Sequence, residues 1–286
     1  MVMGPTHAMS GAAFWLTASA LGTSIAALNT SSLPVILLGT AVCAGAALAP
    51  DIDSGRSTVV NSFGALGRIG YHLANGASVS VHSATRTKYD REVSNGHRTL
   101  FHTLAMALLV GGLVSLGSSL PGTVEIFGKV FPTGQLFSLI VMGLFLHLAL
   151  AGLFEKQVKK YRKKFGPYVL MASSAAITIP IAFILPENEK YQWLGIAVGL
   201  GWMMHILGDA ITKMGSPVLW PLKIKGKRWY DVALPSFLRI TAGGRFEKAV
   251  LLPVLTVITS VALIWHIPGM PEVTSSVVDW FRNIGD

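Results

Sequence analysis

Cysteine occurs once in the 286 residues, at Cys43, so neither an intrachain disulfide nor a thiolate zinc site can be assembled. Charge is scarce as well: 13% of residues are Asp, Glu, Lys or Arg, where soluble domains carry about a quarter. That shortage excludes an ordinary soluble domain, a disordered chain and a coiled coil. The 30 glycines and 14 prolines follow no period, which removes collagen-like repeats. Neither an aromatic-basic ladder nor a helix-turn-helix pattern is present, so nucleic acid is not an expected partner despite the net charge of +9. What fills the chain instead is apolar: 51% of residues are hydrophobic. The expected fold class is an all-α integral membrane protein.

A run must reach about 17–25 residues to cross the hydrocarbon of a bilayer. Seven runs qualify, over 10–29, 33–49, 100–120, 135–153, 167–185, 192–212 and 248–266. The first carries no preceding Lys or Arg and no cleavage pattern, so it is read as a span rather than a leader. With the N-terminus inside, segments 50–99, 154–166 and 213–248 collect 20 of the 23 Lys and Arg, leaving Lys129, Lys190 and Arg282 outside. The positive-inside rule then gives N-in, C-out. Residues 1–266 form one polytopic domain with a cytoplasmic insert at 54–96, expected as a partly ordered loop holding an interfacial helix. A basic, Trp-containing lid-like segment follows at 213–247, and 267–286 is an external tail. The basic faces are expected to attract anionic membrane lipid.

Ionisable residues at membrane depth are costly and point to function. His7, Asp51, Asp53, His97, Arg98, His102, His205 and Asp209 all fall at the cytoplasmic ends of their spans. His205 and Asp209 are i, i+4 on one helix face, with Thr212 below them. Asp51-Ile52-Asp53 places two carboxylates on one side of an extended turn, and Ser94-Asn95-Gly96 lets His97 turn inward at the cap of the third span. Imidazoles with carboxylates and no thiolate suit two or three divalent ions, zinc first, with manganese or iron as alternatives. The expected ligands are His7, Asp51, Asp53, His97, His102, His205 and Asp209, with Thr6 and Thr212 supporting them. His72, His82, His147 and His266 read as structural or interfacial, and Cys43 as a core residue.

Four stretches in order carry a family resemblance: Thr6-His7, Ala49-Pro50-Asp51-Ile52-Asp53, Gly96-His97-Arg98-Thr99-Leu100-Phe101-His102-Thr103, and His205-Ile-Leu-Gly-Asp209-Ala-Ile-Thr212. With Gly215-Ser-Pro217 and Trp220-Pro221 downstream, the chain over about 5–222 resembles the YdjM-like, LexA-binding, inner-membrane-associated metal-dependent hydrolases. The resemblance implies a bacterial inner-membrane metal-dependent hydrolase. The LexA-binding part of the description has no counterpart among these residues.

The expected function is hydrolysis of a phosphoester in a lipid or lipid-linked substrate at the cytoplasmic leaflet. Asp53 is the candidate general base, and Arg98 the substrate-binding clamp on a phosphate oxygen. Two alternatives stay open. The same His/Asp set could form the permeation site of a divalent-cation or proton transporter, or metal could merely staple helices in a non-catalytic adaptor. A homo-oligomer is compatible with all three.

Overall fold

Small residues decide how these helices meet. The structure is a computed structural model, and it describes residues 2–21, 32–126, 128–166, 168–184, 191–267 and 269–270. It is mostly helical: α1 Gly4–Ala20, α2 Leu33–Ala46, α3 Thr58–Ser62, α4 Ala65–Thr85, α5 Leu104–Ser118, α6 Thr133–Leu153, α7 Glu155–Phe165, α8 Val169–Ile184, α9 Gln192–Ala210 and α10 Leu252–Trp265. Helix α2 sits at the centre, packed against α1, α6 and α9; α5 lies along α9, α10 along α1 and α8 along α6. A Cβ at Gly11 or Gly201 would strike the Cys43 carbonyl from either side, and one at Gly45 would strike that of Phe145. Such contacts let helix backbones approach where lipid offers no hydrophobic drive for association. Trp15 and Trp193 fill the space between, with Trp15 Nε1 donating to the Ile36 carbonyl at 3.1 Å.

Four helices among the described residues are long and apolar enough to cross a membrane: Leu33–Asp53, Thr133–Leu153, Gln192–Ala210 and Glu247–Trp265. The other three expected spans are shorter as described. Helices α1, α5 and α8 hold 17, 15 and 16 residues, against about 20 for an upright crossing. Helix α1 starts earlier than expected, at Gly4, and residues 22–29 of that run lie outside the described residues. The third run begins at Leu104 rather than 100, because Thr103 accepts the Met106 N–H and residues Leu100–His102 turn separately as a 3-10 helix. Leu108, Leu113 and Leu116 of α5 and Val257 and Val261 of α10 face outward, as lipid-facing side chains do.

The segment after α2 differs from expectation in two ways. Asp51 and Asp53 lie on a 3-10 turn, Ala49–Asp53, not on an extended one. Pro50 falls in its first two positions, where the missing N–H costs nothing. The insert at 54–96 is also more ordered than a partly ordered loop. Ser57 caps α3, Gly64 turns with φ 60°, and Gly67 lets α4 settle on the Val60 carbonyl. The 21-residue α4 then underpins the aspartate turn, Asn75 donating to the Asp53 carbonyl at 3.4 Å. Its Leu66, Ile69 and Leu73 point outward on one face, as an interfacial helix requires.

A short antiparallel hairpin, β1 Thr123–Ile126 with β2 Lys129–Pro132, precedes α6 and was not foreseen. The segment 213–247 has little regular structure but is anchored to the bundle. The Leu104 N–H donates to the Val218 carbonyl at 2.9 Å, and Ser216 Oγ to the His102 carbonyl at 2.9 Å. Most of the expected tail, from residue 271, lies outside the described residues.

Candidate metal centre

Each expected ligand is delivered by a helix end or a tight turn. His7 stands one turn into α1, and His205 and Asp209 end α9. The 3-10 turn after α2 supplies Asp51 and Asp53, and the loop into the Leu100–His102 turn supplies His97 and His102. These four pieces converge, and all seven side chains share one locus. His97 Nδ1 lies 2.9 Å from Asp53 Oδ1, and His102 Nε2 lies 3.5 Å from the same oxygen. His205 Nε2 is 3.5 Å from Asp51 Oδ1 and 3.7 Å from Asp209 Oδ2. His7 Nε2 is 3.8 Å from Asp209 Oδ1, and its ring stacks on His205 at 3.9 Å.

Two sets emerge whose donor atoms lie within 4.8 Å of one another: Asp51, Asp53, His97 and His102, and beside them His7, His205 and Asp209. His102 joins the two, its Nδ1 lying 3.1 Å from Asp209 Oδ2. Arrangement in adjacent sets suits two neighbouring cations.

Whether these residues fit a metal is decided by what they leave unpaired. Eight buried atoms have no hydrogen-bond partner among the described residues: both nitrogens of His7 and of His102, His205 Nε2, Asp51 Oδ1, Asp53 Oδ2 and Asp209 Oδ2. These nitrogens and oxygens face one another at 3.1–3.8 Å rather than in closed hydrogen bonds, spacing that leaves room for a cation between them. Three carboxylates face one guanidinium and four imidazoles there, and with the imidazoles neutral, as ligands are, the carboxylates hold the excess charge that favours a cation. The donors are nitrogens and oxygens only, as zinc, manganese and iron accept. The residues fit.

Surrounding groups orient them. His205 Nδ1 lies 2.8 Å from the Ala47 carbonyl, so Nδ1 carries the proton and Nε2 turns its lone pair inward, the arrangement usual for a ligating histidine. Arg98 adopts φ 59°, a left-handed backbone that ordinary residues visit only under constraint. Its guanidinium donates to Asp209 Oδ1 at 2.7 Å, to Thr212 Oγ1 at 3.2 Å and to the Gly215 carbonyl at 2.9 Å. Arg98 is therefore engaged with the protein itself rather than held open. Thr212 in turn donates to the Asp209 carbonyl at 2.7 Å. Thr6 is buried but makes no hydrogen bond to the cluster among the described residues. His97, with 23% of its side chain exposed, is the cluster's most open member.

Other contributors carried no motif. The Ala47 carbonyl is invisible to side-chain reasoning. Glu247, fully buried, accepts the Met3 N–H at 2.6 Å and the Gly243 N–H at 2.6 Å, fixing the start of the helix that bears His7. A lone acid opening an apolar run was its one sequence signal. Of the histidines read as structural, His147 is buried against Phe63 at 4.2 Å, His82 lies 5.0 Å from Trp229, and His266 Nε2 is 3.1 Å from the Leu16 carbonyl.

Fold and site together define a helical membrane protein whose spans enclose a His/Asp cluster able to hold metal. The chain belongs to the YdjM inner membrane protein family, whose model matches residues 1–154 and 170–268. It is accordingly an inner-membrane protein. No match was found among curated proteins or among solved structures.

Proposed function

We propose that the protein is a metal-dependent hydrolase that cleaves a phosphoester of a lipid or lipid-linked substrate at the cytoplasmic leaflet. The observation that carries this is the convergence of seven His and Asp side chains into two adjacent sets of metal-capable donor atoms, with His97 partly exposed beside them. His7, Asp51, Asp53, His97, His102, His205 and Asp209 would hold two or three divalent ions, zinc first. Such ions supply a Lewis acid and lower the pKa of water toward neutrality.

The chain's own residues do the rest. Asp53 Oδ2 makes no hydrogen bond among the described residues and Oδ1 lies beside His97 Nδ1, so the pair can take up a proton and pass it toward solvent through the partly exposed imidazole. Arg98 fixes Asp209 and adds positive charge beside the cluster, which favours an anionic phosphoester. Seven spans with the N-terminus inside would set the cluster at the cytoplasmic face, where most Lys and Arg gather. Among the described residues, groups of three or more candidate ligands occur only here, which favours a reaction centre over a permeation path needing relays along its length.

The test is metal content of the purified protein together with phosphate release from phospholipid and lipid-linked phosphoesters. Stoichiometric metal with release abolished in Asp53→Asn supports the proposal. Stoichiometric metal with no turnover on any phosphoester, or metal-dependent cation flux in proteoliposomes, refutes it.

A further inference from the structure

Helix α7 carries six cations, and most of them face solvent. Two do more. Arg162 and Lys159 line a recess of about 90 Å³ with Arg56 from the turn before α3, over a polar floor that includes Thr58 and Asn61. Glu155 also lines it and pairs with Lys159, so two guanidinium groups remain as excess positive charge. Arg162 Nε is buried there without a hydrogen-bond partner among the described residues. A guanidinium fork matches phosphate oxygens in a way an ammonium does not.

An apolar cavity lies beyond the recess, behind the Phe63–His147 stack. Ser62 lines the recess and leads into Phe63, which stacks on His147; Ala151, also in the recess, is one turn beyond His147 on α6. Phe63 and His147 close one end of a cavity of about 790 Å³ between α6 and α8. Along α6 its lining runs from His147 back to Leu136, about 16 Å at 1.5 Å per residue. That stretch begins about 6 Å beyond Ala151 of the recess and ends by the hairpin residues Ile126 and Phe131, so an acyl chain leaving the recess would fill its near part.

We infer that this is a binding site for an anionic phospholipid, with its phosphate between Arg56 and Arg162 and an acyl chain in the α6–α8 cavity over His147. Charge selects the occupant: both kinds of phospholipid offer one phosphate to the two guanidinium groups, but a zwitterionic headgroup brings a quaternary ammonium beside them and an anionic one does not. None of the lining residues belongs to the His/Asp cluster, and the site stands whether or not that cluster is catalytic. Arg162 and Lys159 also fall outside the stretches that the family model matches.

The experiment places the full chain in nanodiscs of equal dioleoylphosphatidylglycerol and dioleoylphosphatidylcholine, releases it into detergent and counts retained lipids by native mass spectrometry. About one phosphatidylglycerol is expected in preference to phosphatidylcholine. Arg56→Gln with Arg162→Gln is expected to weaken its retention roughly 30-fold, about fivefold for each charge lost. Lys163→Gln with Lys164→Gln removes equal charge from the solvent side of α7 and is expected to change retention far less. Equal retention of the two lipids by the unaltered protein overturns the site, and that comparison needs no variant to fold. Equal loss from both double variants also overturns it, since it would reflect diffuse attraction alone.

Discussion

Two carboxylate-centred sites in this molecule are built to opposite rules. At Asp90, where the insert meets the basic segment, both carboxylate oxygens are paired. The carboxylate accepts the Thr87 N–H at 2.7 Å, the Thr87 hydroxyl at 3.0 Å, and the N–H groups of Arg228 at 3.2 Å and Trp229 at 3.0 Å. In the His/Asp cluster the side chains are more deeply buried, yet eight polar atoms make no hydrogen bond among the described residues. A saturated polar site is a latch; an unsaturated one in the same fold is prepared for something not supplied by protein. Satisfaction of the carboxylate oxygens themselves separates the two: both of Asp90 are paired, whereas Asp51 Oδ1, Asp53 Oδ2 and Asp209 Oδ2 make no hydrogen bond among the described residues.

The comparison can be broken most forcefully at the cluster. Replacing His205 with Ala or Asp51 with Asn is expected to abolish stoichiometric metal and with it phosphoester turnover, while the membrane helices keep their circular dichroism. Elemental analysis of each purified variant checks this. Chelation of the unaltered protein should lower its melting temperature, because binding to the folded state alone contributes about 2.7 kcal/mol at a hundredfold excess over Kd. An apparent melting point insensitive to chelator would place the cluster with the latch instead. Arg98→Lys is the finer cut. It keeps the charge but loses the fork that holds Asp209, Thr212 and the Gly215 carbonyl, and should weaken metal affinity about 10–100-fold, as loss of an outer partner typically does.

The smallest effects belong to the latch. Burial alone would raise the Asp90 carboxyl, but the backbone N–H groups of Thr87, Trp229 and Arg228 outweigh it and hold it below the usual carboxylate range. A carboxyl with a lowered folded-state pKa stabilises above its unfolded value, and the benefit is lost as pH falls through the folded one. Protection factors for amide exchange at residues 85–90 and 226–230, corrected for the intrinsic pH dependence of exchange, should therefore fall selectively as the pH falls through the acid range. Asp90→Asn should speed that exchange at neutral pH by about 1–3 kcal/mol of local opening, leaving metal content unchanged.

Much of this was legible in the amino acids because lipid removes options. A run such as 135–153 has little choice but helix, and the observed α6 starts two residues earlier and ends at the same Leu153. His205 and Asp209 were readable as a pair because helical spacing puts them on one face. What could not be read depends on turns and on distant backbone. Nothing in Asp51-Ile-Asp53 distinguishes a 3-10 turn from an extended one, and both would present two carboxylates. The order in the insert arises from Gly64 and Gly67 docking α4 on α3, contacts a polar, weakly amphipathic stretch does not advertise. Arg98 looked like a hand for substrate; only its neighbours at 209, 212 and 215 reveal a hand already holding the protein.

Anomalous scattering, recorded from crystals at the zinc, manganese and iron edges, addresses the centre of the account directly. Peaks bounded by Asp51, Asp53, His97 and His102, and by His7, His205 and Asp209, are the predicted result. A map without anomalous signal there, with ordered waters satisfying the same nitrogens and oxygens, would contradict it.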